Sequence, residues 1–148
     1  MSEESKQIGV QFKSIKETSF SNKLNDEIFI DFNHDNLELG VGFSLQGFPK
    51  DKSIGLSVSI FYKYKVGNKH KEFFKFTTET LFKFENTYDD IIKIEEKTVF
   101  VADELMANLL SISIGATRGM MSYKVSSLPI DLVLPLFDIS NLLPNLGK

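Results

Sequence analysis

Between Asp103 and Val125 the chain carries apolar residues at helical spacing around far more than one face. Leu105, Leu109, Ile112, Ala116, Met120 and Tyr123 form one seam; Met106, Leu110, Thr117 and Met121 form a second beside it, with Ile114 and Val125 beyond. A surface helix needs one seam only. The remaining sector, Asn108, Ser111, Gly115, Gly119 and Ser122, is small and uncharged, and Arg118 is the one formal charge between Leu105 and Tyr123. Such a helix is expected to pack on a sheet and on a second helix together. In a chain this small the second surface is a copy of itself, with Gly115-x-x-x-Gly119 letting backbones approach. Leu105, Leu109, Ile112, Gly115, Ala116 and Gly119 are the expected contacts of a homo-oligomer.

The 148 residues predict one domain spanning 1–148, with 1–7 a frayed tail, large enough to bury about two-thirds of its unfolded surface. Cysteine is absent, which excludes disulfides, thiolate metal sites and a thiol nucleophile and fits a reducing compartment. The acidic, polar start MSEESKQIG does not read as a secretory signal, so the expected location is the cytoplasm. No run approaches the roughly 18 apolar residues of a membrane span. A net charge of −3 gives no general attraction to nucleic acid or an anionic bilayer. Phenylalanine stands out, with 14 residues beside no tryptophan, and some of that aromatic surface is available for binding.

Val10 to Phe20 reads as a first strand with Val10, Phe12, Thr18 and Phe20 in phase; Ile15 is out of phase, which predicts a bulge or a bend there. A polar connection, 21–36, then carries the apolar patch Ile28, Phe29, Ile30 and Phe32. Alternation returns in 37–48, and Pro49 to Lys52 turns the chain. A third strand, 54–66, turns Ile54, Leu56, Val58, Ile60, Tyr62 and Tyr64 inward. After the reversal at Gly67-Asn68, a fourth strand, 72–85, does the same with Phe74, Phe76, Thr78, Thr80, Phe82 and Phe84, leaving Phe73 and Leu81 outside. Residues 86–97 fit either a short helix or an irregular connection. Asp103 is placed to cap the long helix, which ends near Ser126-Ser127 because Pro129 disfavours helix before it. The extended LPIDLVLPLFD and a short final helix over 138–143 close the chain. The expected fold is α+β: a four-stranded antiparallel meander covered on one face by the long helix and the short final one.

This order resembles the SecB family of export chaperones, and three places carry the resemblance. Ile15-Lys16-Glu17-Thr18-Ser19-Phe20 is similar to the family's basic and acidic pair before Ser-Phe. Ala116-Thr117-Arg118 is similar to its Ala-Arg helix segment. Leu128-Pro129 through Leu132, Leu134-Pro135 and Phe137-Asp138 resembles its Leu-x-Leu-x-Pro-x-x-Phe passage. The likeness runs from about residue 10 to residue 143, and its specificity lies in the order and spacing of the three. It implies protomers that pair into dimers, with dimers associating through their long helices into a homo-dimer or homo-tetramer. It also implies unfolded polypeptide clients held between Ile28, Phe29, Ile30 and Phe32 on one side and Leu132, Leu134 and Phe137 on the other. A translocation motor or an antitoxin is the implied further partner. Two departures count against direct service of the motor: the sequence runs only to Pro144-Asn145-Leu146-Gly147-Lys148, and the outer sheet face mixes Lys63, Lys65, Lys75 and Lys83 with Glu72, Glu79 and Glu85 instead of being acidic.

Blander readings stand beside these. An apolar loop cluster such as 28–32 is also the lid of its own core, and an extended apolar segment after a helix also packs home. Phe61, Phe73 and Leu81 form an outer patch if contiguous. The basic run Lys63, Lys65, Lys69, His70, Lys71 and Lys75 reads as a solvated, edge-protecting set rather than a nucleic-acid groove, because Tyr62, Tyr64 and Phe74 point inward. His34 and His70 have no second histidine at ligand spacing, and Asp89-Asp90 and Glu95-Glu96 read as solvating charges, so no metal, cofactor or catalytic centre is expected.

Overall fold

The computed structural model describes residues 10–23, 33–84, 88–96, 98–126 and 128. Four strands form the main sheet: β1 (Val10–Asn22), β2 (Leu37–Phe48), β3 (Ser53–Val66) and β4 (Lys69–Phe84). Their spatial order is β1-β4-β3-β2, all antiparallel. Three consecutive strands, β2, β3 and β4, thus form the meander, and β1 lies beside β4, a Greek-key order. A single helical turn, α1 (Tyr88–Ile91), a small hairpin of β5 (Lys93–Glu95) and β6 (Thr98–Phe100), and the long helix α2 (Asp103–Val125) follow. The 86–97 region therefore holds both a helical turn and half of a hairpin. The expected short helix over 138–143 lies outside the described residues.

The strands form where side chains alternate, and they turn where backbone chemistry permits. Pro49–Asp51 makes a 3-10 turn closed by Lys52 in the left-handed region, with the Lys52 N–H donating to the Pro49 carbonyl at 3.2 Å. Gly67, at φ 62°, reverses the chain between β3 and β4 without the clash a Cβ would bring. Inward residues of β3 and β4 make the core: Ile54, Leu56, Val58, Ile60, Tyr62 and Tyr64 face α2 with Phe74, Phe76, Thr78, Thr80, Phe82 and Phe84, all buried. Each large apolar side chain among them contributes about 1.5–3 kcal/mol by leaving water.

Register explains the two places where alternation misleads. Pairing jumps from Tyr62↔Phe74 to Lys63↔Glu72, so Phe73 is the extra residue of a β-bulge. Its ring joins the core instead of the outer face. The expected outer patch of Phe61, Phe73 and Leu81 therefore loses its middle member. In β1 the register shifts at Lys13 and again at Thr18. Ile15 then pairs with Thr80 on the helix side, so of the bulge or bend expected there the structure has a bulge, and Thr18 becomes an unpaired bulge residue.

Helix α2 crosses the inner face of β3 and β4. It buries Met106, Leu109, Leu110, Ser113, Ile114, Thr117 and Met121, which is the second seam with additions. A hydroxyl layer lies inside this contact. Thr117 donates its proton to the Ser113 carbonyl at 2.6 Å, so the 2.8 Å contact between the Thr78 and Thr117 hydroxyls has Thr78 as donor. Asp103 does not cap the helix: Ala102 holds the N-cap position with no side-chain bond. Asp103 and Glu104 occupy the first turn, where their charge favours the helix dipole. The helix ends at Val125, with Ser126 as its C-cap.

Candidate functional site: an apolar groove beside the edge strand

Because β1 is the edge beyond β4, its helix-side residues lie past the reach of α2 and are only partly covered. Phe12 pairs with Phe82 across the strands and meets its ring edge-on at 6.0 Å between centroids, yet remains 48% exposed. Opposite it, the first seam of α2 is turned toward the same opening, and Ile112 is 47% exposed. Between them runs an open groove of about 790 Å³, walled by Val10, Phe12 and Phe82 from the sheet and by Leu105, Leu109 and Ile112 from the helix. Glu104 and Asn108 supply polar lining. The volume falls in the range of roughly 300–1,000 Å³ typical of ligand sites.

The far end of the strand–helix seam is tied shut. Phe20, also on the helix side of β1, packs edge-on against Phe74 and Phe76 at 5.7 and 6.3 Å. Lys124, from the last turn of α2, reaches across to the Glu17 carboxylate at 2.9 Å and lies 4.8 Å from the Phe20 ring centre. Among the described residues the helix lining of the groove runs from Glu104 to Ile112, in the first half of the helix. Such a surface offers burial without directional demands, apart from one carboxylate at the rim.

Ile28, Phe29, Ile30, Phe32, Leu132, Leu134 and Phe137, the residues implied for client binding, lie outside the described residues. Of the residues expected at a copy interface, Leu109 is buried in this protomer, Leu105 and Ala116 are half-buried, and Ile112, Gly115 and Gly119 are exposed. A Cβ built at Gly115 or Gly119 would meet no atom within 4 Å. Leu105, Leu109 and Ile112, offered by the sequence as an interface, thus also line the groove, whereas Gly115, Ala116 and Gly119 do not. Phe12 and Val10 share a phase on the first strand, but the pattern of one strand does not show that this strand is an edge, so their place in the groove is not visible in the sequence.

The outer sheet face offers less. Phe61 lies over Gly40, where an added Cβ would sit 2.1 Å from its ring. Lys63 sits 5.7 Å from the Phe61 ring centre, and His70 Nδ1 meets Glu38 at 3.2 Å. Tyr62, Tyr64, Phe73 and Phe74 are all buried, so they make no stacking platform among the lysines. No helix among the described residues is long and apolar enough to cross a membrane.

No protein-family model matches the sequence, and no curated protein matches it. Among solved structures the fold is similar to that of the Mycobacterium tuberculosis Rv1957 SecB-like chaperone, determined in complex with a ChAD peptide from the Rv1956 HigA1 antitoxin. That likeness has a TM-score of 0.52 at 12% identity, over 87% of this chain and 88% of that one. A protein of unknown function from Streptococcus agalactiae aligns with a TM-score of 0.45 at 11% identity, over 88% of this chain and 99% of that one. The four-stranded sheet with its long helix is a SecB-like α+β fold.

Proposed function

We propose that this protein is a SecB-like molecular chaperone, a cytoplasmic homo-oligomer that holds non-native polypeptides without cofactor or chemistry. The observation that carries the reading is the groove itself: Phe12 and Ile112, both exposed, line one open and largely apolar groove on a SecB-like fold. Burial of client side chains there is worth roughly 25 cal/mol per Å² of apolar area and asks for no particular sequence. Affinity then grows with client length as further segments engage, including through the apolar runs 28–32 and 132–137 that the resemblance implies. Suppression of aggregation of two unrelated unfolded proteins tests this. The double change Phe29→Ser with Phe32→Ser separately tests the contribution of the first run, and undiminished suppression removes it from the site.

A second reading is a dedicated interaction protein that takes one partner, such as an antitoxin. It is favoured by the solved SecB-like chaperone with an antitoxin peptide bound. A dedicated partner protein leaves both unfolded test proteins to aggregate.

A further inference from the structure

Thr78, Thr80, Ser113 and Thr117 are all fully buried where α2 crosses the sheet, yet only half of this hydroxyl layer is bonded. The Thr78 and Thr117 hydroxyls meet at 2.8 Å. Among the described residues the Thr80 and Ser113 hydroxyls have no hydrogen-bond partner. An unmade bond in a dry contact costs stability, so two hydroxyls kept there call for a use beyond packing.

Their place follows from two steps of similar length. One turn of helix, four residues, advances about 6 Å, and two residues of strand advance about 7 Å. Helix α2 runs antiparallel to β4, since Leu109 and Phe82 line the groove together and Thr117 meets Thr78 further along. Counting back from Thr117 by turns gives Ser113 and then Leu109; counting on from Thr78 by pairs gives Thr80 and then Phe82. Ser113 and Thr80 therefore share the rung between the bonded hydroxyls and the groove. An extended polypeptide brings a donor and an acceptor on every main-chain unit, and both need partners once out of water. Of the groove lining only Glu104 and Asn108 have polar side chains. A hydroxyl suits either main-chain group, because it donates and accepts.

We propose that Thr80 and Ser113 form the inner end of the polypeptide site: α2 parts from β4 at this rung, and the two hydroxyls bond the main chain of the entering polypeptide. Parting there breaks no side-chain bond, whereas parting at Thr78 and Thr117 breaks one. Opening is thus directed to the rung beside the groove, and the bonds gained are indifferent to side-chain sequence. The inference rests on the polypeptide-binding reading above and adds the group that is recognised, the main chain itself.

The double change Thr80→Val with Ser113→Ala removes both hydroxyls and nearly keeps their shape. Because two unpartnered groups disappear, its thermal midpoint should rise by about 2–4 °C. Its affinity for a fluorescein-labelled twelve-residue peptide of alternating Leu and Ser, read by fluorescence polarisation, should fall about tenfold through the loss of two bonds. Thr78→Val, which removes a bonded hydroxyl from the neighbouring rung, should bind the peptide at least as tightly as the wild type. Undiminished affinity in the double variant, an equal fall in Thr78→Val, or a lowered midpoint in the double variant overturns the assignment and leaves the polypeptide-binding reading standing. No binding by the wild type removes that reading, and this inference with it.

Discussion

Gly40 shows how a single residue shapes the outer sheet face. The Phe61 ring occupies the space its side chain would fill, 2.1 Å from an ideal Cβ. Gly40→Ala should therefore destabilise the protein by about 1–3 kcal/mol through overpacking, and most of that loss should vanish in the Phe61→Ala background, as read by denaturant midpoints in a double-mutant cycle. An equal cost in both backgrounds would mean that the ring is not the cause. Tyr62, only 2% exposed, gives a pH signature. Burial pushes its hydroxyl from the ordinary 10.0 to about 12, so the folded state prefers the protonated form. The associated stability is fully present below pH about 10 and is lost as pH rises toward about 12, to a total of about 3 kcal/mol. Tyr62→Phe should flatten most of the base limb of a stability–pH profile, the remainder including Tyr88, which burial and then Asp89 also raise. An unchanged base limb contradicts this assignment. At this scale the sequence was legible where alternation was unbroken, as from Ile54 to Tyr64. It misled at Phe73, because a bulge is a property of the pairing between strands and leaves no mark on one strand's pattern.

At the scale of elements, the instructive pair is α2 and β1. The sequence showed two apolar seams on the helix, and structure separates them: Leu110 and its neighbours face β3 and β4, while Ile112 looks into the groove. Leu110→Ala should cost about 2–5 kcal/mol of stability as a cavity in a packed contact. Ile112→Ala should cost less than about 1 kcal/mol, and thermal unfolding of the two variants side by side checks the difference. Equal costs would mean that the two seams are buried alike. The bulge at β1 was legible because Ile15 broke phase, whereas the place of β1 beside β4 was not: strand order is set by where a long connection returns the chain, and 23–36 contains no turn chemistry that names the partner. That one fact turned Phe12 from an ordinary core residue into the wall of a groove. Asp103 shows the same limit at the helix start, where the side chain suited to capping falls one position late and Ala102 takes the cap.

For the whole molecule, a sheet with one face buried under a helix, an edge strand left half covered, and an apolar opening between them is the arrangement on which the proposed holding of polypeptide rests. The fold was largely legible from the periodicities of 37–84 and 103–125. The candidate site was legible only in its helix half, since the strand half depends on topology. The client-binding residues implied by resemblance fall outside the described residues, so the groove at Phe12 and Ile112 is an independent claim about where polypeptide binds. The most direct test is light scattering from two unrelated chemically unfolded proteins diluted into wild-type protein and into a Phe12→Ser, Ile112→Ser double variant, with folding of the variant verified by circular dichroism. The account predicts that the wild type suppresses aggregation of both and that the folded double variant loses at least most of that suppression. Suppression of neither by the wild type, or full suppression by the variant, would contradict it.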